Sequence, residues 1–234
     1  MHEASSLFSM DEVASWRPKN RVAAGAAATT TGGATRVFSL QPLSDLELPS
    51  TPLEQIIIRR GSTRQFSREA MSFVQLSTIL DRATSGIPTD VVPERSRLND
   101  LYLIVNNVDG LPAGAYFYDA ASKELVLLKE GDFRDRASYL GLEQQLPGDA
   151  SVDVFFLADL PRILERLGNR GYRATQLEAG ILGGRMYLAA YAQRLGASGL
   201  TFYDDDVVNF FSPHAKGKSA IFLVALGKSV KATP

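Results

Sequence analysis

The apolar residues of the chain form several continuous runs that predict buried strands. The runs are "LYLIV" at 101–105, "VDVFFLA" at 152–158 and "AIFLVALG" at 220–227, and short apolar stretches between polar turns are typical of strands inside a sheet. Two further segments, "GAYFYD" and "ELVLLKE", flank a polar turn at 120–123 and predict a hairpin. Because these strands alternate with helical patterns, the sequence predicts an α+β fold with helices around one sheet.

Two helices from residue 51 onward begin with capping signals. In "TPLE", Thr51 is the predicted N-cap, Pro52 takes the first helical position and Glu54 closes a capping box. Ser72, followed three residues later by Gln75, gives the same signal for a second helix with one apolar face. The first of these helices is expected to be short and to end by Gly61.

A long helix is predicted from about Arg173 to Arg194, although it contains three glycines. Gly180 and Gly184 are four residues apart, as are Ala179 and Gly183, so the small residues share one smooth helix face. Each glycine costs ~1 kcal/mol relative to alanine inside a helix. Two interpretations remain open: close packing within the chain, or a contact across a dimer interface or with a flat cofactor.

The composition limits the chemistry that the chain can perform. There is no cysteine, and His2 and His214 are the only histidines, so thiol nucleophiles, disulfides and histidine-rich metal sites are excluded. The acidic run at 204–206 is interpreted as a helix start capped by Asp204 or Asp205. No metal site is predicted.

Charge and hydropathy indicate a globular protein of the cytoplasm. The 234 residues are 45% hydrophobic and 22% charged, with a formal net charge of -1, which argues against a nucleic-acid or membrane-surface binder. No apolar run reaches the ~20 residues of a membrane span, and "MHEASSLF" does not resemble a signal peptide. Residues 1–50 are predicted as an N-terminal extension or linker, and residues 51–234 as the folded domain.

Positive charge is concentrated in "IIIRRGSTRQF" at 56–66. Arg60 and Arg64 offer planar guanidinium groups that pair bidentately with phosphate oxygens. Ser62 adds a hydroxyl group, and Gly61 leaves the backbone N–H groups approachable. The alternative is that the arginines only complement the dipole at a helix C-terminus.

Five segments, in their order along the chain, resemble the FMN-dependent nitroreductase-like superfamily. They are "HEASSLF", "RRGSTRQF", "GLPAGAYFYDAASKELVLLKEGD", "GYRATQLEAGILGGRMYLAAYAQRLGASGLTFYDDDVV" and "AIFLVALGK". Within the superfamily they are most similar to the branch of the thiazole/oxazole-forming (SagB/ThcOx-type) dehydrogenases. The resemblance implies a nitroreductase-like α+β fold, with a central mixed or antiparallel sheet flanked by helices. It also implies a homodimer with a long central helix and FMN at the subunit interface.

The resemblance also assigns roles to individual residues. The arginine motif would hold the FMN phosphate and ribityl chain, and "GLT" at 199–201 would lie along the flavin edge, with the Thr201 N–H as a candidate donor to N5. Lys228 is either a further phosphate partner or a solvated C-terminal charge. The implied cofactor-binding residues are Arg60, Gly61, Ser62, Arg64, Pro93, Ser96, Gly199, Leu200, Thr201 and Lys228.

Two segments depart from the pattern of the branch. The loop "VVPERSRLND" at 91–100 stands where a Pro-Ser-Gly-Gly-like stretch would reach the partner's flavin. Arg166 and Leu167 stand where azoline-oxidising members carry a Lys-Tyr pair, and neither residue can act as a base near neutral pH. The catalytic residues are therefore left unassigned.

The predicted function is an FMN-dependent oxidoreductase. It would transfer hydride via flavin N5 to or from a small or peptide-derived unsaturated substrate, with NAD(P)H as a candidate donor although the chain has no dinucleotide fingerprint. The expected partners are a second copy of the chain and a small-molecule or modified-peptide substrate. Two alternatives remain: a degenerate binding subunit or scaffold, and a flavin-processing protein.

Overall fold

The computed structural model describes residues 3–16, 36–87, 89, 91 and 97–230. Its centre is a seven-stranded sheet in the order β1–β6–β5–β3–β7–β9–β8, and all neighbouring strands in this sheet are antiparallel. The strands are β1 Val37–Ser39, β3 Asp100–Val105, β5 Gly114–Asp119, β6 Glu124–Glu130, β7 Val152–Ala158, β8 Gly196–Leu200 and β9 Ser219–Gly227. Two short strands, β2 Met71–Ser72 and β4 Val108–Asp109, form a separate parallel pair.

Helices cover both faces of the sheet. They are α1 Met10–Trp16, α2 Leu53–Arg59, α3 Phe73–Thr84, α4 Arg134–Leu140, α5 Gln145–Asp149, α6 Leu160–Leu167, α7 Asn169–Ala192 and α8 Asp204–Phe211, with a 3-10 helix at Glu3–Ser5. The side chains of β7 alternate between the two layers: Phe156 packs with α3 and α7, whereas Phe155 and Leu157 pack with α4 and α8. The predicted strands, the hairpin and the α+β class are therefore confirmed.

The helix caps agree only in part with the sequence. The Ser72 hydroxyl accepts from Gln75 N at 3.1 Å, and the Gln75 side chain accepts from Ser72 N at 3.0 Å, which confirms that capping box. The predicted caps Thr51 and Asp204 or Asp205 are wrong. Pro52 has an extended ψ of 140°, so α2 begins one residue later without a side-chain cap. The α8 N-cap is Tyr203, and the aspartates lie in the first turn, where their charge favours the helix dipole.

The glycines of α7 do not all serve close packing within the chain. A Cβ at Gly183 would lie 2.6 Å from the Phe222 ring, so this glycine permits close packing of α7 on the sheet. Gly180 and Gly184 are both exposed, and among the described residues no atom lies within 4 Å of a Cβ added at either position. None of the described residues therefore covers this face of α7.

Within the described residues, none of the helices combines the length and apolar character needed to cross a bilayer. The same residues contain no group of three or more His, Cys, Asp or Glu side chains placed to hold a metal ion.

Candidate functional site

The arginine motif lies against the edge strand β8. Thr63 N donates to Ala197 O at 2.9 Å, and Gly196 faces the Thr63 side chain so closely that a Cβ there would collide with it. The fold therefore places the motif at 60–64 beside "GASGL" at 196–200, as required if both segments contact one ligand.

Two tyrosines of α7 connect these segments. The Tyr187 hydroxyl accepts a hydrogen bond from Gly199 N and lies 3.4 Å from Ser62 Oγ. The Tyr191 hydroxyl donates to Gly61 O at 2.8 Å. The sequence prediction missed both tyrosines, and the only local signal for them was their i, i+4 spacing on one helix face.

The three arginines of the motif have different environments. Arg59 Nη2 donates to Tyr191 O at 2.8 Å, so this side chain packs inward on α7. The side chains of Arg60 and Arg64 are exposed, and among the described residues neither guanidinium group has a hydrogen bond or an ion pair. Two guanidinium groups therefore remain free for an anion, and neither is bound to the last carbonyl groups of α2.

Lys228 contacts the segment that directly follows the same motif. Its carbonyl oxygen accepts from Ser67 N at 2.9 Å, and its Nζ pairs with Glu69 Oε2 at 3.2 Å. The Lys228 side chain is 43% exposed and the Glu69 side chain 65% exposed, and such a pair is worth only about 0–1 kcal/mol. Lys228 is thus close to the motif and free to exchange Glu69 for another anion.

The segment from Gly199 to Thr201 continues this edge. A Cβ at Gly199 would lie 3.1 Å from the Phe222 ring and 3.6 Å from the Tyr187 hydroxyl oxygen, so the strand passes close to α7 here. Leu200 is partly exposed and pairs with Leu223, and Thr201 is exposed where β8 ends. The predicted residues 60–64, 199–201 and 228 therefore form one continuous border. Pro93 and Ser96 lie outside the described residues.

The sequence profile of the nitroreductase family matches residues 57–228 of the chain. The chain belongs to the nitroreductase family. Members of this family are in general flavin-dependent oxidoreductases and usually bind FMN. The matched range includes the whole border described above.

Individual relatives agree with this membership. The nitroreductase-named protein MJ1384 of Methanocaldococcus jannaschii is 25% identical over 173 residues, which are 70% of this chain and 87% of that protein. A nitroreductase-named crystal structure from Anabaena variabilis superposes with a TM-score of 0.74 at 27% identity and covers 87% of this chain, which spans only 45% of that chain's length. The E. coli microcin synthetase McbBCD complex with truncated pro-MccB17 bound has a similar fold, with a TM-score of 0.63, 15% identity and coverage of 97% and 84%.

The residues in place of the Lys-Tyr pair do not restore a base. Arg166 is exposed near the end of α6, and Leu167 is buried in the core. Tyr172, five residues further on, is exposed on α7. Neither Arg166 nor Leu167 therefore supplies a base in place of the Lys-Tyr pair.

Glu178, a buried acid of α7, was also missed by the sequence prediction. Its carboxylate accepts from Leu98 N at 2.9 Å, from Asn99 N at 2.8 Å and from Asn99 Nδ2 at 2.8 Å. Burial raises the pKa of Glu178, although these hydrogen bonds oppose the rise. The contacts fix the chain directly before β3, where the 91–100 loop ends.

Tyr187→Phe is expected to destabilise the protein by about 1–2 kcal/mol, because the variant leaves Gly199 N without its acceptor. Urea unfolding measures the effect. Tyr172→Phe is the matched control, since Tyr172 lies on the same helix and no hydrogen bond to its hydroxyl occurs among the described residues. Equal unfolding free energies for the two variants would contradict the role of Tyr187.

Proposed function

We propose that the protein is an FMN-dependent oxidoreductase that transfers hydride via flavin N5 to or from a small or peptide-derived unsaturated substrate. The observation that supports it most is the pair of free guanidinium groups, Arg60 and Arg64, beside Ser62 at the edge of β8. Guanidinium groups can pair bidentately with the oxygens of a phosphate monoester.

The residues of the border fit FMN. Arg60 and Arg64 would bind the phosphate, Ser62 would donate its hydroxyl hydrogen to the phosphate or the ribityl chain, and Lys228 would leave Glu69 for the phosphate. The segment 199–201 would lie along the ring, with the Thr201 N–H directed to it. FMN supplies the hydride-transferring centre, so the chain contributes binding, orientation and exclusion of water.

We infer that the working form is a homodimer built on the face of α7 that carries Gly180 and Gly184. The exposed Gly180 and Gly184 allow close approach of another helix, and Leu177 on the same helix is 66% exposed. In α2, Ile58 is 83% exposed. Exposed apolar side chains grouped with small residues are typical of protein contacts. We assign the flavin-binding domain to residues 51–234, preceded by an N-terminal extension at 1–50.

The proposed substrate and branch of the family rest on a likeness of fold. The likeness of fold to the McbBCD complex with its bound peptide supports a peptide-derived substrate and the thiazole/oxazole-forming branch. A nitroaromatic, a quinone or another small unsaturated molecule fits the same border. Arg166 and Leu167, in place of a base, favour a second candidate function, which is a binding subunit that holds flavin or peptide without turnover.

The absorbance spectrum of the purified protein, followed by FMN titration, tests the proposal. We expect a flavin spectrum, stoichiometric FMN binding, and bleaching of bound FMN under anaerobic NADH or NADPH. A colourless protein that binds no added FMN would reject the proposed function. Bound FMN that neither dinucleotide reduces would favour the binding subunit.

A further inference from the structure

Asp153 and Asn106 are two buried polar side chains that each leave one oxygen unpaired. Asp153 lies in β7 with no exposed area, and Asn106 follows β3 with 8% exposed. Asn106 Nδ2 donates to Asp153 Oδ2 at 3.1 Å. Among the residues that the structure describes, neither Asp153 Oδ1 nor Asn106 Oδ1 has a hydrogen-bond partner. Since buried polar atoms are nearly always paired, these two oxygens require an explanation.

The hydrogen-bonding groups of Asp153 and Asn106 show that a donor is missing between them. Asn106 Nδ2 also points to the carbonyl oxygens of Pro147 and Ala150, at 3.3 and 3.2 Å, so three oxygens identify it as the amide nitrogen. Asn106 Oδ1 can then only accept, and an ionised Asp153 could also only accept. One proton on the carboxyl group turns Asp153 into a donor, and a carboxylic acid facing an amide can form two hydrogen bonds.

The charged groups near Asp153 do not compensate an ionised carboxylate. Arg134 of α4 is the cation that acts on it, and the cross-strand neighbours of Asp153 in β3 and β9 are apolar. Asp149 of α5 pairs with Arg68 at 2.5 Å. Burial raises the pKa of Asp153 well above its ordinary value, against the opposing effects of Asn106 and Arg134.

The backbone around this pair supports the segment that follows the arginine motif. Asn106 N and Asn107 N both donate to Ser151 O, at 2.9 and 3.0 Å. Ser151 Oγ donates to Glu69 O at 3.0 Å, and Asn107 Nδ2 donates to Arg68 O at 2.9 Å. Ser67, in the same segment after the arginine motif, donates its N–H to the carbonyl oxygen of Lys228.

We propose that Asp153 is kept as a neutral acid that donates its proton to Asn106 Oδ1, and that this acid–amide pair positions residues 67–69 and Lys228 beside the FMN phosphate. Asp153 is a positioning residue, because it lies in the core and acts through Asn106. Its positioning role depends on the FMN site proposed above, whereas its protonation does not.

The protonation of Asp153 is tested on the protein without added flavin. In the unfolded chain an aspartate ionises near pH ~3.9, whereas the folded chain retains the proton. The folded state is therefore fully stabilised below that pH and loses stability as the pH rises toward the raised folded pKa. Asp153→Asn removes this loss and keeps a donor for Asn106 Oδ1. Its urea midpoint should therefore rise relative to that of the wild type as the pH increases from 4 to 8.

The control for this measurement is Asp149→Asn, which removes a carboxylate paired with Arg68. Its urea midpoint should show no such rise relative to that of the wild type. Infrared difference spectra should show a carboxylic-acid C=O band at neutral pH that Asp153→Asn lacks. A midpoint difference that does not grow with pH, together with an unchanged carboxylic-acid band, would show that Asp153 is ionised and overturn the assignment.

The positioning role is tested by FMN titration. Asn106→Ala should weaken FMN binding by about fivefold or more, the lower range of couplings between sites. Asn107→Ala, which breaks a surface contact and should leave the fold intact, should weaken it in the same direction. Both variants binding FMN as the wild type does would overturn the positioning role. Absence of FMN binding by the wild type would instead reject the proposed function and leave the infrared result on Asp153 standing.

Discussion

Replacing Arg60 and Arg64 together with alanine is expected to weaken FMN binding by about 3 kcal/mol or more, which is roughly 150-fold. Both guanidinium groups are exposed and have no partner among the described residues. Their removal should therefore leave the unfolding free energy nearly unchanged while it removes the donors for the phosphate. Flavin fluorescence titration gives the affinity, and urea unfolding checks the fold.

Riboflavin makes this experiment specific for the phosphate. It has the same ring and ribityl chain as FMN without the phosphate, so Arg60→Ala/Arg64→Ala should bind it about as well as the wild type does. The matched control is Arg162→Ala/Arg166→Ala in α6, which changes the net charge equally at a different surface. Equal losses of FMN affinity in both double variants would indicate only a general charge effect. A variant that still prefers FMN over riboflavin as strongly as the wild type would place the phosphate elsewhere.

The parts of the fold that sequence predicts are those that depend on local patterns. The strands "VDVFFLA" and "AIFLVALG" are apolar apart from Asp153, and both lie inside the sheet rather than at its edges. The capping box of Ser72 and Gln75 uses residues three positions apart, so the sequence carries it directly. The predicted N-cap at Thr51 is wrong because capping also depends on the backbone conformation with which the chain enters the helix. The extended ψ of Pro52 changes that conformation.

The parts that sequence could not predict depend on contacts between distant residues. Tyr187 meets Gly199 and Ser62 only after α7, β8 and the arginine motif have assembled. Asp153 belongs to an apolar run, and its hydrogen bond with Asn106, which lies 47 positions away, is a tertiary contact. The arginine motif was found because its residue types and spacing carry the chemistry themselves. The sequence prediction selected Arg60 and Arg64, whereas the inward turn of Arg59 is a tertiary contact that the sequence does not show.

Gly184→Glu is expected to separate the proposed homodimer into monomers and to abolish FMN binding with it. A Cβ added at Gly184 would meet no atom within 4 Å in the part of the chain that the structure describes, and glycine is a poor helix former. The variant protomer should therefore be at least as stable as the wild type. In a helix–helix contact, however, each glutamate would be buried without a partner, which costs about 3 kcal/mol or more. Two such costs per dimer should raise its dissociation constant by about four orders of magnitude.

Sedimentation velocity and FMN titration measure the two consequences together. Asn209→Glu is the control, because this exposed residue of α8 lies on the opposite face of the sheet from α7. The control should remain dimeric and bind FMN as the wild type does. A wild-type protein that sediments as a monomer and binds FMN would reject the dimer while leaving Arg60 and Arg64 as the phosphate site. A Gly184→Glu protein that stays dimeric would move the interface away from α7. The small residues at 180 and 184 would then need a different partner to explain why a long helix keeps glycines at two exposed positions where alanine would stabilise it.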